Sequence, residues 1–148
     1  MAIVVERLTD GCSSLAALVS ESEEEGLRFV RRLVDDWDAG TNRFDRPGEA
    51  LFVARLDTRP VGVCGLNVDP YLAETGVGRV RHLYVLPARR RVGTGRQLLA
   101  AVLGAARPRF RLLRLRTSNP AAARLYESLG FRPVVGHHDC THVLELTS

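Results

Sequence analysis

The chain has 148 residues, of which 45% are hydrophobic and 26% are charged, and its formal net charge is +4 at pH 7. These values are typical of one folded domain, so we expect a single domain over residues 1–148. No apolar run approaches the roughly 20 residues that cross a bilayer. For that reason we expect no membrane partner. Residues 1–7 lack the basic and long apolar regions of a signal peptide, so we expect no signal peptide there.

The cysteines indicate the redox environment of the chain, and the basic residues exclude sites that need a lysine. Cys12, Cys64 and Cys140 are scattered and odd in number, which favours free thiols and a cytoplasmic location. All 21 basic residues are arginine, which excludes a P-loop lysine and a lysine Schiff base. The positive charge would suit a nucleic acid. Because aromatic stacking residues are sparse where the arginines concentrate, we expect no nucleic-acid partner.

The first half of the chain predicts one strand, two helices and a hairpin. Three glutamates at 23–25 favour a helix start, and apolar residues at helical spacing give the helix that follows one apolar face. The elements expected before residue 70 are a strand at 3–8, helices at 13–19 and 23–37, a loop at 38–48, and hairpin strands at 51–56 and 61–68 around a turn at 57–60.

The second half predicts alternating strands and helices. Asn119 and Pro120 suit the N-cap and first position of a helix, and Gly130 suits its C-cap. The expected elements are a turn at 74–78, strands at 79–85, 110–117, 131–135 and 141–147, and helices at 93–106 and 120–129. The order predicts an α+β fold, in which an antiparallel meander is followed by a β-α-β-α-β unit.

A turn rich in arginine and glycine joins the strand at 79–85 to the next helix. Residues 89–95 read Arg-Arg-Arg-Val-Gly-Thr-Gly, and the apolar periodicity of a helix follows at once. Glycines at a helix start let backbone amides approach a ligand, and the positive helix end favours phosphate. Arginines add charge and paired donors. The turn therefore predicts a site for a phosphorylated ligand.

A second motif lies downstream, and the two together resemble one family. The segments LYVLPARRRVGTG (83–95) and NPAAARLYESLGFRPV (119–134) resemble the GNAT superfamily of acyl-CoA-dependent N-acetyltransferases. Arg90, Gly93 and Gly95 fit its acyl-CoA motif, Q/R-x-x-G-x-G/A. The resemblance implies a GNAT-like mixed sheet flanked by helices and splayed open between the strands at 79–85 and 110–117.

The resemblance also implies acetyl-CoA as co-substrate and assigns its binding residues. Backbone groups of Leu83, Tyr84 and Val85 would pair with the pantetheine arm, and Asn119 would contact the cofactor from the opposite side. The pyrophosphate would be held at the Arg/Gly turn, by Arg90, Arg91, Val92, Gly93, Thr94, Gly95 and Arg96.

The implied reaction is direct attack of a primary amine on the thioester. Tyr126 suits the general acid, because an unperturbed phenol, with a pKa of about 10, carries its proton at neutral pH. The identity of the general base stays open. Arg79 and Arg81 stand where many relatives carry Glu or His, and His82 faces the other side of a regular strand unless a bulge re-aims it. The other candidates are Glu74, Asp69, His137 and His138. A further alternative is that no residue serves, and that water or the substrate's own equilibrium delivers the neutral amine. Arg79 or Arg81 has the alternative role of pairing with a carboxylate on the acceptor.

The acceptor is predicted only as a class. Acidic residues in the first two helices favour a small polyamine-like or aminoglycoside-like amine slightly over a peptide or protein N-terminus. A non-catalytic acyl-CoA-binding regulator of the same fold is the alternative function, and a homodimer is compatible with either. His137, His138 and His142 suggest zinc, but their spacing suits strand and turn residues, so we expect no metal.

Overall fold

A computed structural model describes residues 2–146 as one seven-stranded sheet with helices on both faces. The strands are β1 (Ile3–Arg7), β2 (Ala50–Leu56), β3 (Arg59–Val68), β4 (Val77–Val85), β5 (Leu112–Leu115), β6 (Arg132–Pro133) and β7 (His142–Glu145). The helices are α1 (Ala16–Glu24), α2 (Phe29–Ala39), α3 (Thr94–Ala106) and α4 (Pro120–Ser128), with short 3-10 turns at Ser13–Leu15 and Pro87–Arg89.

The sheet is mixed and has the order β1-β2-β3-β4-β5-β7-β6. Strands β1 to β4 form an antiparallel meander, β4 pairs with β5 in parallel, and β7 lies between β5 and β6 in antiparallel pairing. The parallel pair requires a crossover, which α3 supplies. The predicted α+β mixed sheet flanked by helices is confirmed.

Each face of the sheet buries its own apolar cluster. On one face, α3 contributes Leu98, Leu99 and Val102 to a cluster that also contains Tyr126 of α4. On the other face, α2 contributes Val30 and Leu33, which pack with Val63 and Tyr84 of the sheet. Among residues 2–146, no helix has the length and apolarity that a membrane crossing needs.

The predicted boundary between the first two helices is wrong. We expected a helix start at Glu23, whereas Glu23 and Glu24 close α1, and the second helix begins at Phe29. Gly26 adopts φ +79°, and the amide of Leu27 donates to the carbonyl of Ser22 at 2.9 Å, so the chain turns out of the helix there.

Several predicted strand ends are also wrong. The strand expected at 110–117 spans only Leu112–Leu115, because the amide of Phe110 still bonds to Ala106 and that of Thr117 bonds to the Thr141 side chain. The fourth strand begins at Val77, inside the turn expected at 74–78. The final strands shorten to two and four residues, and residue 147 lies outside the described range.

Candidate functional site

Strands β4 and β5 separate after a short contact. Their parallel register covers only Val77–Arg79 against Leu112–Arg114. Residues 80–85 of β4 continue without a partner from β5, while their other edge stays paired with β3. The sheet is therefore open between its fourth and fifth strands, beside the helices α3 and α4.

The predicted pantetheine-binding residues lie along this open part of β4. Tyr84 pairs with Val63 and Val85 pairs with Gly62 across β3, and Leu83 packs against the cluster under α3. The carbonyl of Val85 accepts from Arg90 Nε at 2.8 Å. A strand-like ligand at this edge would therefore share that carbonyl with Arg90 or displace its side chain.

The Arg/Gly turn leads directly into α3. Arg91 and Gly93 adopt positive φ values of 65° and 90°, and Val92 is 67% exposed. The first internal hydrogen bond of α3 runs from the Gln97 amide to the Gly93 carbonyl at 3.0 Å. The amides of Thr94, Gly95 and Arg96 thus have no partner within the helix. A helix start of this kind favours an anion.

The side chains of this turn are engaged to different extents. Arg90 Nη2 lies 2.8 Å from Glu25 Oε2, and its guanidinium stacks 5.5 Å from the centre of the Tyr84 ring. Arg96 donates to Ser128 Oγ at 2.8 Å. A Cβ on Gly95 would approach Leu125 Cδ2 to 3.0 Å. Gly95 therefore lets α3 and α4 pack closely beside the open edge.

Tyr126 projects from α4 into the core below that edge. It is 5% exposed, and its ring packs against Phe131 at a centroid distance of 5.5 Å. Burial, and then the nearby Cys64, raise the pKa of Tyr126 above its usual value. The phenol is thus protonated at neutral pH.

Asn119 caps α4 as its sequence position predicts. Its side-chain oxygen accepts from the amides of Ala121 and Ala122 at 2.9 and 3.4 Å. This commits the carboxamide oxygen to the helix. The amide nitrogen stays the group through which Asn119 could contact a ligand.

A β-bulge decides where His82 points. The register between β3 and β4 shifts between Val63 and Gly65, and His82 adopts φ +61°. Its ring stacks on Phe29 and meets Phe44 edge-on, at centroid distances of 6.4 and 6.3 Å. His82 therefore faces α2. Burial, and then the charge of Arg81, lower its pKa to about 3, so it is a poor base at neutral pH.

Asp69 has a structural position. Its side chain is 0% exposed and lies 3.0 Å from Arg114 Nη1 and 3.7 Å from Arg79 Nη1. Its other oxygen accepts from the amides of Tyr71 and Leu72. These contacts leave it unsuited to a base that faces substrate.

The other candidate bases are exposed on the surface. Glu74 pairs with Arg111 at 2.8 Å on the surface, and His137 and His138 are exposed in the segment before β7. His142 Nε2 lies 2.8 Å from Glu127 Oε2. No group of three metal-ligating side chains occurs among residues 2–146.

Sequence reasoning missed two participants in this region. The Glu25 carboxylate accepts hydrogen bonds from Arg90 and from the Tyr84 hydroxyl, the second at 2.5 Å. Both partners lie about 60 residues away from Glu25 in the sequence. Cys64 lies near Tyr126 and opposite the bulge. Neither carries a local motif, because both contacts arise only when distant segments pack.

This open mixed sheet is the fold of known acetyltransferases. A family model of the acetyltransferase (GNAT) domain matches residues 47–133. A protein from Exiguobacterium sp. 255-15, described as an acetyltransferase, is 30% identical, with a TM-score of 0.86 over 98% of this chain and 94% of its own. The chain belongs to the GNAT acetyltransferase family, and this membership supports an acyltransferase activity.

Two more distant structures share the fold and hold ligands. N-acetylglutamate synthase from Neisseria gonorrhoeae, complexed with coenzyme A and N-acetyl-glutamate, has a TM-score of 0.75 at 19% identity, over 100% of this chain and 36% of its own. An acetyltransferase from Salmonella typhimurium with its cofactor acetyl-CoA has a TM-score of 0.70 at 19% identity, over 100% and 96%. No curated protein matches the chain.

Proposed function

We propose that this chain transfers the acetyl group of acetyl-CoA to a primary amine by direct attack. The observation that carries the proposal is that an unpaired strand edge runs directly into a helix start with free amides. The unpaired edge of β4 at residues 80–85 leads, through the Arg/Gly turn, to the unbonded amides of Thr94, Gly95 and Arg96. An amide-bearing arm with a diphosphate at one end fits both features at once.

The proposed cofactor contacts follow the chain from strand to helix. Backbone groups of Leu83 and Val85 supply the open edge, and the positive φ values of Arg91 and Gly93 turn the next amides towards the diphosphate. Arg91 is exposed and adds positive charge at the same place. Asn119 contributes its amide nitrogen from α4.

Tyr126 is proposed as the general acid. Acetyl-CoA supplies the activated carbonyl and the thiolate leaving group. A backbone amide of β4 donates to the carbonyl oxygen, and the phenol of Tyr126 donates its proton to the leaving sulfur. The attacking nitrogen loses one proton as the amide bond forms and the thioester bond breaks, and that proton passes through water to restore the phenol. Its raised pKa keeps that proton in place until negative charge develops nearby.

No dedicated base is assigned. His82 is neutral but too weakly basic, since its pKa is lowered to about 3, and Asp69 is committed to Arg79 and Arg114. We propose that the acceptor enters as the neutral amine through its own acid–base equilibrium. Turnover then rises with pH until the free acceptor is fully deprotonated.

Two measurements test this function. Calorimetric titration with coenzyme A should give saturable binding at one site, and thiol release from acetyl-CoA should depend on an added amine. Binding without thiol release across amino acids, polyamines, aminoglycosides and peptides would instead support the non-catalytic regulator.

The oligomeric state and the location are further parts of the proposal. Light scattering of the purified protein gives its oligomeric state, which tests the homodimer. The cytoplasmic location is part of the proposal and rests on the scattered cysteines.

A further inference from the structure

The bulge in β4 turns two consecutive side chains towards α2. Arg81 lies directly opposite Gly65, and a Cβ on Gly65 would meet Phe44 Cε1 at 2.6 Å, so this is the face that Phe44 covers. Side chains directly opposite across an antiparallel pair share a face. His82 reaches the same face through its positive φ, and its ring also meets Phe44. Arg81 and His82 therefore stand side by side next to the open edge.

Arg81 has no counter-charge. Its side chain is half-buried, yet no salt bridge or side-chain hydrogen bond joins it to any residue between 2 and 146. Its guanidinium nitrogens are not enclosed by the protein, so a ligand can reach them. The arginines to either side in the sheet are partnered: Arg79 donates to the Asp139 carbonyl at 2.7 Å, and Arg114 binds Asp69. Arg81 is the exception on this face.

The surroundings of Arg81 are neutral or positive. The charges that act on His82 come from Arg81 and Arg32, and both are positive. Arg79 Nη1 is buried and makes no hydrogen bond. The nearby Glu49 is buried but committed, since it accepts from Asn67 Nδ2 at 3.0 Å and from the Val68 amide at 2.9 Å. Next to Arg81 and His82 the face thus offers donors and positive charge.

The acidic residues of the first two helices have partners other than Arg81. Glu23 pairs with Arg31 at 3.0 Å, and Glu25 pairs with Arg90. Asp35 acts on Arg31, and Asp38 acts on Cys12. Glu21 and Glu25 act on Tyr84, farther along the open strand.

We propose that the acceptor amine carries an oxyanion close to its amino group, and that Arg81 binds this oxyanion. This inference rests on the proposed acetyl transfer, because Arg81 lies beside the open edge where the thioester would end. A planar guanidinium binds a carboxylate or a phosphate through two parallel hydrogen bonds.

The test compares matched amines and matched variants. The wild-type protein is assayed for thiol release with glycine against glycinamide, alanine against alaninamide, and phosphoethanolamine against ethanolamine. Each kcat/KM is calculated from the concentration of the neutral form of the amine, because the two members of a pair differ in the pKa of the amine. We expect the anionic member of one pair to be preferred at least tenfold, and the pair that shows it identifies carboxylate or phosphate.

Arg81→Gln should abolish this preference. The KM of the anionic amine should rise roughly 10-fold to 100-fold, as the loss of a charge-assisted hydrogen bond predicts, while the affinity for coenzyme A stays unchanged. Arg59→Gln is the matched control, since Arg59 is an exposed arginine at the start of β3. Preference for neutral or cationic amines, or equal behaviour of the two variants, would overturn the inference and leave the acetyl transfer standing.

A binding measurement separates this inference from the catalytic proposal. The protein saturated with coenzyme A is titrated with N-acetylglycine and with N-acetylglycinamide. Binding of the carboxylate alone, lost in Arg81→Gln, supports the oxyanion site even if no amine is acetylated, in which case only the catalytic proposal fails. Absence of both turnover and carboxylate binding would overturn both.

Discussion

Arg90 Nη2 lies 2.8 Å from Glu25 Oε2, so an ion pair joins the Arg/Gly turn to the end of α1. The same carboxylate oxygen accepts from the Tyr84 hydroxyl. The hydrogen bonds from Arg90 and Tyr84 hold the pKa of Glu25 below its usual value. The carboxylate therefore partly neutralises the positive charge beside the proposed diphosphate site.

Glu25→Gln should tighten the binding of coenzyme A. Glutamine still accepts from Tyr84 but leaves the Arg90 charge unopposed. Because this ion pair is partly exposed, we expect the binding free energy of coenzyme A to improve by only about 0.3–1 kcal/mol. This corresponds to a roughly 2-fold to 5-fold lower Kd at low salt. Calorimetry at two salt concentrations measures this, with the exposed Glu24→Gln as control. A weaker affinity in Glu25→Gln would show that the ion pair instead positions the turn.

Tyr126→Phe should lower kcat and leave coenzyme A binding nearly unchanged. General-acid catalysis contributes on the order of 10²-fold to 10⁴-fold, and the phenylalanine ring keeps the packing of Tyr126 against Phe131. Steady-state kinetics and calorimetry give the two values, and Tyr71→Phe, at an exposed tyrosine, is the control. Equal losses in turnover and in binding would indicate that Tyr126 only packs. Since its pKa is raised, its ionisation should cause no fall in rate between pH 7 and 9.

Two glycines of the α3 region should respond oppositely to alanine. Gly93 adopts φ +90°, so Gly93→Ala strains the backbone and should cost roughly 1–2 kcal/mol while weakening coenzyme A binding. Gly104 lies within α3 with no atom near an added Cβ, so Gly104→Ala should stabilise by about 0.5–1 kcal/mol. Urea unfolding measures both changes. Unaltered coenzyme A affinity in Gly93→Ala would contradict a role for this turn.

The elements that the sequence predicted well are those with local causes. Asn119, Pro120 and Gly130 bound α4 through capping geometry, which depends on residues a few positions apart. The hairpin was predicted, but its turn is shorter than the expected 57–60: only Asp57 and Thr58 have positive φ values, and β3 begins at Arg59. In the second half, α3 and α4 each connect two strands that run in the same direction.

The features that the sequence could not predict depend on distant partners. Three glutamates are disfavoured at a helix C-terminus, yet Glu23 and Glu25 lie there because Arg31 and Arg90 pair with them. The bulge that re-aims His82 arises from the register of β3 against β4. Neither relationship has a local pattern, so the candidate bases could be ranked only from the structure.

Asp69→Asn should destabilise the fold strongly. The substitution leaves Arg79 and Arg114 buried without their shared carboxylate, and breaking a buried ion pair costs about 3–5 kcal/mol. Urea unfolding measures the loss, and the exposed Glu74→Gln, which breaks one surface pair, should cost at most about 1 kcal/mol. A stable Asp69→Asn protein with normal coenzyme A binding and no turnover would identify Asp69 as the base after all.

His82 should make stability depend on pH in the acidic range. Its pKa is lowered to about 3 in the folded chain, from 6.5, so the unfolded chain binds the extra proton. Its contribution is complete above pH 6.5 and is lost towards pH 3, with a slope of up to about 1.4 kcal/mol per pH unit. His82→Asn, which tolerates φ +61°, removes this slope, whereas the exposed His137→Asn keeps it. Urea unfolding of the wild type and of both variants at pH 7, 6 and 5 measures the pH dependence of the free energy of unfolding. Identical slopes in wild type and His82→Asn would mean that His82 is solvated rather than buried against Phe29 and Phe44.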